Sequence, residues 1–156
     1  FHPTDRLLRE IAGAASRRGT VTIITPTGGQ APSKSEQFFG HRNIVSLHRL
    51  KQLTDKAARK NLRFLAYKQA KNGLHKKVVV VDDTVYGGSS NLGEKSLVLT
   101  GDHEMNFKAE SAALANEVFD HFKADIHLSY RIRKLSPTLK NRCIAWIHHL
   151  GANIWG

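Results

Sequence analysis

Cysteine is nearly absent from this chain. Cys143 stands alone among 156 residues, which excludes an internal disulfide framework and a multi-cysteine zinc site. Long apolar runs are missing as well: no 18 consecutive apolar residues occur, so no segment has the composition of a spanning helix. Acidic residues are scarce, 13 against 24 Lys+Arg, leaving a formal net charge of +11. The sequence opens on Phe1 without a methionine and shows no basic-then-apolar leader. It is therefore expected to be a trimmed piece of something longer. No internal repeat is visible. What is present is a 40% hydrophobic content, sufficient for one compact domain and too high for a disordered basic tail.

The charge is unevenly spread. Residues 1–81 hold 16 basic and 4 acidic side chains, residues 82–127 hold 3 and 9, and residues 128–156 hold 5 and none. A field of that kind suits a polyanion or an anionic membrane surface and says nothing of fold.

Apolar spacing supplies the elements. Thr4 can cap a helix carrying Leu7, Leu8, Ile11, Ala14 and Ala15, closed near Gly19. Val21–Ile24 is short and β-branched, hence a strand. Residues 26–40 contain two Pro, three Gly and the pair Phe38–Phe39. They read as a long loop, with the two rings anchoring it to the core. Val45, Leu47, Leu50, Leu53 and Ala57 define a helix over 45–60. Strands are expected at 62–67, 76–81, 85–88 and 104–109, the four consecutive valines of the second being buried on both faces. Ser111 can cap a helix with Leu114, Ala115, Val118, Phe119 and Phe122 on its inner stripe. The alternation specifies an α/β class, a mixed sheet flanked by helices.

Residues 128–156 read as a basic extension beyond a domain of residues 1–127. Leu139, Cys143, Ile144, Ile147 and Leu150 share one helical face, with Lys140 and Arg142 beside it and Trp155 at the end. A basic amphipathic helix of this kind either lies in a membrane interface or packs onto the domain.

The chemistry concentrates in LHKKVVVVDDTVYGGSSNLGEKS, residues 74–96. With period two, His75 and Lys77 project to the same side and Asp82 to the other. A lysine offers a point charge for phosphate, and a neighbouring imidazole can act as nucleophile or proton donor. Gly87 and Gly88 permit close approach of a ligand, and Ser89, Ser90 and Asn91 offer short polar groups.

These residues resemble the phospholipase D superfamily, whose signature H-x-K-x4-D followed by G-S-x-N appears here as His75, Lys77, Asp82, Gly88, Ser89 and Asn91. Five residues separate Asp82 from Gly88, where the family has six. The flanks FHPTDRLLREIAGAASRRGTVTIITP, NLGEKS and HEMNFKAES are similar to the cardiolipin-synthase-like group. The resemblance implies a phospholipase D-like half carrying one motif. It implies metal-independent phosphodiester transfer through a phosphohistidine, without a cofactor. His75 would serve as nucleophile or general acid, Lys77, Ser89, Ser90 and Asn91 would hold the phosphate, and Asp82 would order the site. Glu104 would steady the catalytic histidine. One imidazole cannot be neutral nucleophile and protonated acid at once. A complete site would therefore need a homodimer partner or a second motif-bearing half.

Other candidates carry less. His103 reads as a solvated or strand-edge histidine, Lys76 as a sheet-face charge and Asp83 as a turn residue. His148–His149 lacks a neighbouring carboxylate and is not read as a metal site. Gly28–Gly29 fits no phosphate-loop pattern and is read as a turn, and Cys143 is a small hydrophobe. The leading expectation is a phosphatidyltransferase or phospholipase acting on headgroups while peripherally bound to an anionic membrane. The alternatives are a nonspecific endonuclease acting on nucleic acid as a homodimer, and a non-catalytic anion-binding module.

Overall fold

A computed structural model describes residues 1–27, 34–68, 74–97 and 103–154. Expectations that fall on Gly28–Gly29, on the side chains of His148, His149 and Leu150, and on Trp155 lie outside the described residues.

The chain begins with helix α1, Asp5–Ser16, where Thr4 Oγ1 accepts from the Leu7 amide at 3.3 Å and satisfies one orphan donor. Strand β1, Val21–Thr25, follows. Helix α2 then spans Lys34–Leu53, so Phe38 and Phe39 sit on a helix and not in the expected long loop. It ends before residue 60, at Thr54, whose amide and Oγ1 both donate to the Leu50 carbonyl, at 3.1 and 2.8 Å. A 3₁₀ turn, Ala58–Asn61, leads into β2, Leu62–Tyr67. The remaining elements are β3 (Val78–Val81), β4 (Thr84–Gly88), the short helix α3 (Glu94–Leu97), β5 (Asn106–Glu110), α4 (Ala112–His127), β6 (Ser129–Arg131) and α5 (Leu139–Ile154).

The class is α/β, as expected, with the strands arranged as two three-stranded sheets. One is mixed, ordered β1-β2-β6, with β1 parallel and β6 antiparallel to β2. The other is an antiparallel meander, β3-β4-β5. Strand β6 was not legible from the sequence: three residues, Ser-Tyr-Arg, carry no pattern of their own, and pairing with Leu65–Tyr67 supplies the order.

The main core lies between the first sheet and the two leading helices. Leu8, Ala12 and Ala15 of α1 meet Leu47 and Leu50 of α2 over Leu62 and Phe64 of β2, with Leu135 closing one side. In the second sheet Val85 is fully buried and α4 packs against β3 and β4. The valine strand is not buried on both faces: Val79 and Val81 are 37% and 54% exposed, and Tyr86 beside Val79 is also exposed. An antiparallel sheet with a helix on one side alternates inward and outward residues, and the β3 pattern does so.

Helix α5 packs on α2. Its start is capped by Thr138, whose Oγ1 accepts from the Asn141 amide at 3.3 Å. Buried Asn141 returns its Oδ1 to the Thr138 amide and hydroxyl, both at 2.7 Å, and its amide reaches His41 Nδ1 at 2.9 Å. Of the apolar stripe, Leu139, Cys143 and Ile147 are exposed and Ile144 is half-buried, and Trp146 beside them is exposed as well.

The Asn141–His41 contact makes the α2–α5 junction pH-sensitive. Asn141 Oδ1 is committed to Thr138, so its amide must donate, and only a neutral Nδ1 can accept. Burial first, then Lys140, holds the His41 pKa below its ordinary value of 6.5, and burial, Arg142 and Lys51 do the same for His48. A depressed histidine stabilises the fold above the unfolded pKa, and that contribution is lost as pH falls through the folded value. Thermal melts are expected to fall between pH 7.5 and 5.5, and less so in His41→Gln. Leu50→Ala, in the main core, should cost about 2–5 kcal/mol by urea titration.

Candidate active site

The hairpin register assembles the site. Val78 pairs with Gly87 and Gly88 pairs with Asn106. Residues just before β3, just after β4 and around the start of β5 therefore share one end of the sheet. That end gathers His75, Lys77, Ser89, Ser90, Asn91 and Glu104. Asp82 is left at the other end. It occupies the two-residue turn between Val81 and Thr84 with a φ of 51°, exposed, and β3 alone separates it from Lys77 by about 13 Å. Its place in the motif is that of a turn former. The expectation that it orders the site is not met.

Lys77 Nζ lies 3.0 Å from His75 Nε2 and 3.3 Å from Nδ1, and it also donates to the His75 carbonyl at 3.2 Å. An ammonium can only donate, so a ring nitrogen of His75 accepts in this contact. His75 is exposed and Lys77 is half-buried. The pair is thus open to an incoming phosphate, which would draw the ammonium off the ring and free a nitrogen lone pair.

The polar residues around the pair divide into committed and open ones. Ser89 Oγ donates to Glu104 Oε2 and accepts from the Met105 amide at 3.0 Å. Glu104 thereby holds the serine through one carboxylate oxygen. Ser90 is buried. Its Oγ accepts from Asn106 Nδ2 at 2.6 Å and its amide donates to Asn106 Oδ1 at 3.3 Å, so it braces the strand end and is withdrawn from the surface. Asn91 is exposed. Lys77, half-buried against His75, and exposed Asn91 are motif residues at this end with no hydrogen bond to Glu104 or Asn106.

Gly88 is required on two counts. Its φ is 152°, and a Cβ there would stand 2.3 Å from the Met105 carbonyl oxygen. That close approach lets the Ser89 amide reach Met105 O at 3.0 Å.

Two residues escaped the sequence reading. Asn106 braces Ser90, and its only signal is an asparagine at a strand start. Asp125 of α4 is the second. Lys76 Nζ reaches its two carboxylate oxygens at 2.9 and 2.7 Å, and the carboxylate side chain is 8% exposed. Lys76 is therefore not a free sheet-face charge. It pins the motif to α4, leaving its neighbours His75 and Lys77 to meet each other. The first residues also come close: Gly93 would contact the His2 carbonyl through a Cβ at 3.5 Å. Asn43 Oδ1 accepts from the Phe1 nitrogen at 2.9 Å, and Phe1 lies within electrostatic reach of Arg42 and Lys77. His103 is exposed, and among the described residues no group of three or more His, Cys, Asp or Glu could hold a metal ion.

The family described as cardiolipin synthase, PLD-like domain, matches residues 1–126. The chain belongs to the phospholipase D superfamily. Membership of the superfamily suggests phosphodiesterase-type activity. No curated protein is significantly similar to the chain. Among solved structures, a phospholipase D family member, Nuc, from Salmonella typhimurium is similar at 15% identity. The match covers 84% of this chain and 92% of that one with a TM-score of 0.43, and an overlap that loose carries no functional argument.

Removing Lys76 should expose what holds the motif. Lys76→Met leaves a buried carboxylate unpaired and should cost about 1–3 kcal/mol. Adding Asp125→Asn should recover part of that loss in a double-mutant cycle read by denaturation. Gly88→Ala should destabilise the chain more than Gly93→Ala, whose nearest contact is of ordinary length.

Proposed function

We propose that the chain catalyses phosphodiester transfer or hydrolysis on phospholipid headgroups, with His75 as the covalent or proton-donating imidazole and Lys77 as the phosphate clamp. The 3.0 Å approach of Lys77 Nζ to His75 Nε2 carries this reading. A cation and an imidazole share one exposed spot, where an anionic phosphate can exchange for the contact between them. In the first half-reaction an imidazole nitrogen attacks phosphorus, the bond to the leaving oxygen breaks, and that oxygen takes a proton from a second imidazole. In the second, water or an alcohol attacks the phosphohistidine and returns its proton to the same group. Lys77 and Asn91 hold the equatorial oxygens as charge builds on them. The second imidazole comes from another copy of this chain or from a second motif-bearing half.

A lipid substrate is favoured by the tail. Leu139, Cys143, Trp146 and Ile147 form an outward stripe on α5, Trp146 being 63% exposed. Residues 128–156 carry five basic and no acidic side chains. Apolar area with a cationic surround suits peripheral binding to an anionic bilayer. No helix among the described residues is long and apolar enough to cross one.

With phosphatidylglycerol vesicles in EDTA, His75→Ala should lower turnover by at least about 10³-fold and Lys77→Ala by about 10²–10³-fold. Turnover that survives His75→Ala would reject the mechanism. Plasmid nicking without lipid turnover would move the substrate to nucleic acid, which the basic first half also suits. Trp146→Glu with Ile147→Glu should abolish flotation with anionic vesicles, and flotation that persists would reject the role of α5.

A further inference from the structure

A cavity of about 370 Å³ opens between the end of α2, the 3₁₀ turn, the start of β2 and the stretch after β6. Lys51, Arg59, Arg131 and Arg133 line it, and no carboxylate does. An adjoining depression shares Lys51 and Arg59 and adds His48. Among the described residues none of the four cations is in an ion pair. Arg59 spends Nε on the Thr54 carbonyl at 3.1 Å, which fixes the guanidinium and leaves its terminal nitrogens facing outward from that bond.

Four uncompensated cations around one concavity repel each other, and an anion placed among them relieves that repulsion. Arginine forks match phosphate oxygens in pairs, and Lys51 adds a point charge. The floor is apolar: Leu62, Phe64 and Leu135 are buried, which strengthens the attraction above them and offers a surface for a carbon skeleton. The volume accommodates a phosphate together with a small organic group. None of the lining residues belongs to the His75 end.

We infer that this cavity is a second anion site, binding a phosphate-bearing ligand between Lys51, Arg59, Arg131 and Arg133 independently of the chemistry at His75. A soluble organic phosphate and a lipid headgroup present the same group, and two probes separate them.

The full chain is titrated with inorganic tripolyphosphate by calorimetry, and with phosphatidylglycerol vesicles by sedimentation against phosphatidylcholine vesicles. Measured in a His75→Ala, Lys77→Ala background, which removes the phosphate clamp at the other end, Lys51→Gln with Arg133→Gln should weaken the remaining binding at least tenfold. A loss seen with tripolyphosphate alone assigns a soluble ligand, and a loss seen with vesicles alone assigns a headgroup. His48 reports occupancy by NMR, its lowered pKa rising when an anion settles beside Lys51. Affinity unchanged in the double variant, or no binding left in that background before Lys51 and Arg133 are changed, would overturn the site. Should the double variant lose its melting transition, Arg131→Gln on exposed β6 decides by the same two criteria. Because the readout is binding, it stands or falls apart from the turnover assays on His75.

Discussion

The contact on which the site depends is the ion pair between Lys76 and Asp125. Three consecutive residues, His75, Lys76 and Lys77, carry polar side chains, and which of them meets substrate depends on where the middle one goes. A carboxylate buried in α4 must find a cation, because an unpaired charge there would be costly. Lys76 meets that demand with two hydrogen bonds at its ammonium. Its neighbours are then left to each other, and the imidazole–ammonium contact at 3.0 Å follows. Helix α4 thus orients a reactive group it does not touch.

A second layer of support comes from the other strand ends. Glu104 and Asn106 fix Ser89 and Ser90, while Asn91, next in the polar run after β4, is exposed. The arrangement separates residues that hold the backbone in place from residues that can hold a phosphate. The distinction is physical: a hydroxyl that already donates to a carboxylate and accepts from an amide has little left to offer a ligand.

Much of this was legible in the sequence, and the failures have identifiable causes. Helices α1 and α4, with Thr4 and Ser111 at their starts, follow from local capping and spacing. The His75–Lys77 pairing follows from adjacency within the motif. What could not be read was whatever depends on distant partners. Asp125 looked like one more charge on a helix, β6 acquires order only from β2, and the direction faced by the α5 stripe is set by Asn141 meeting His41 100 residues away. The resemblance assigns Glu104 to the histidine, and the register delivers one of its carboxylate oxygens to the serine that follows β4.

The two-residue turn at Asp82 alters how the motif itself is understood. Its spacing suggests three chemical partners, yet the third sits at the far tip of a hairpin in a left-handed conformation. An aspartate tolerates that backbone better than most residues, and asparagine or glycine tolerates it as well or better. The constraint at this position is one of chain reversal, and it acts on the reaction only by setting how far β4 must travel to return. The aspartate is in effect a ruler: it fixes the length of the hairpin, and the hairpin's length decides which residues arrive beside the histidine.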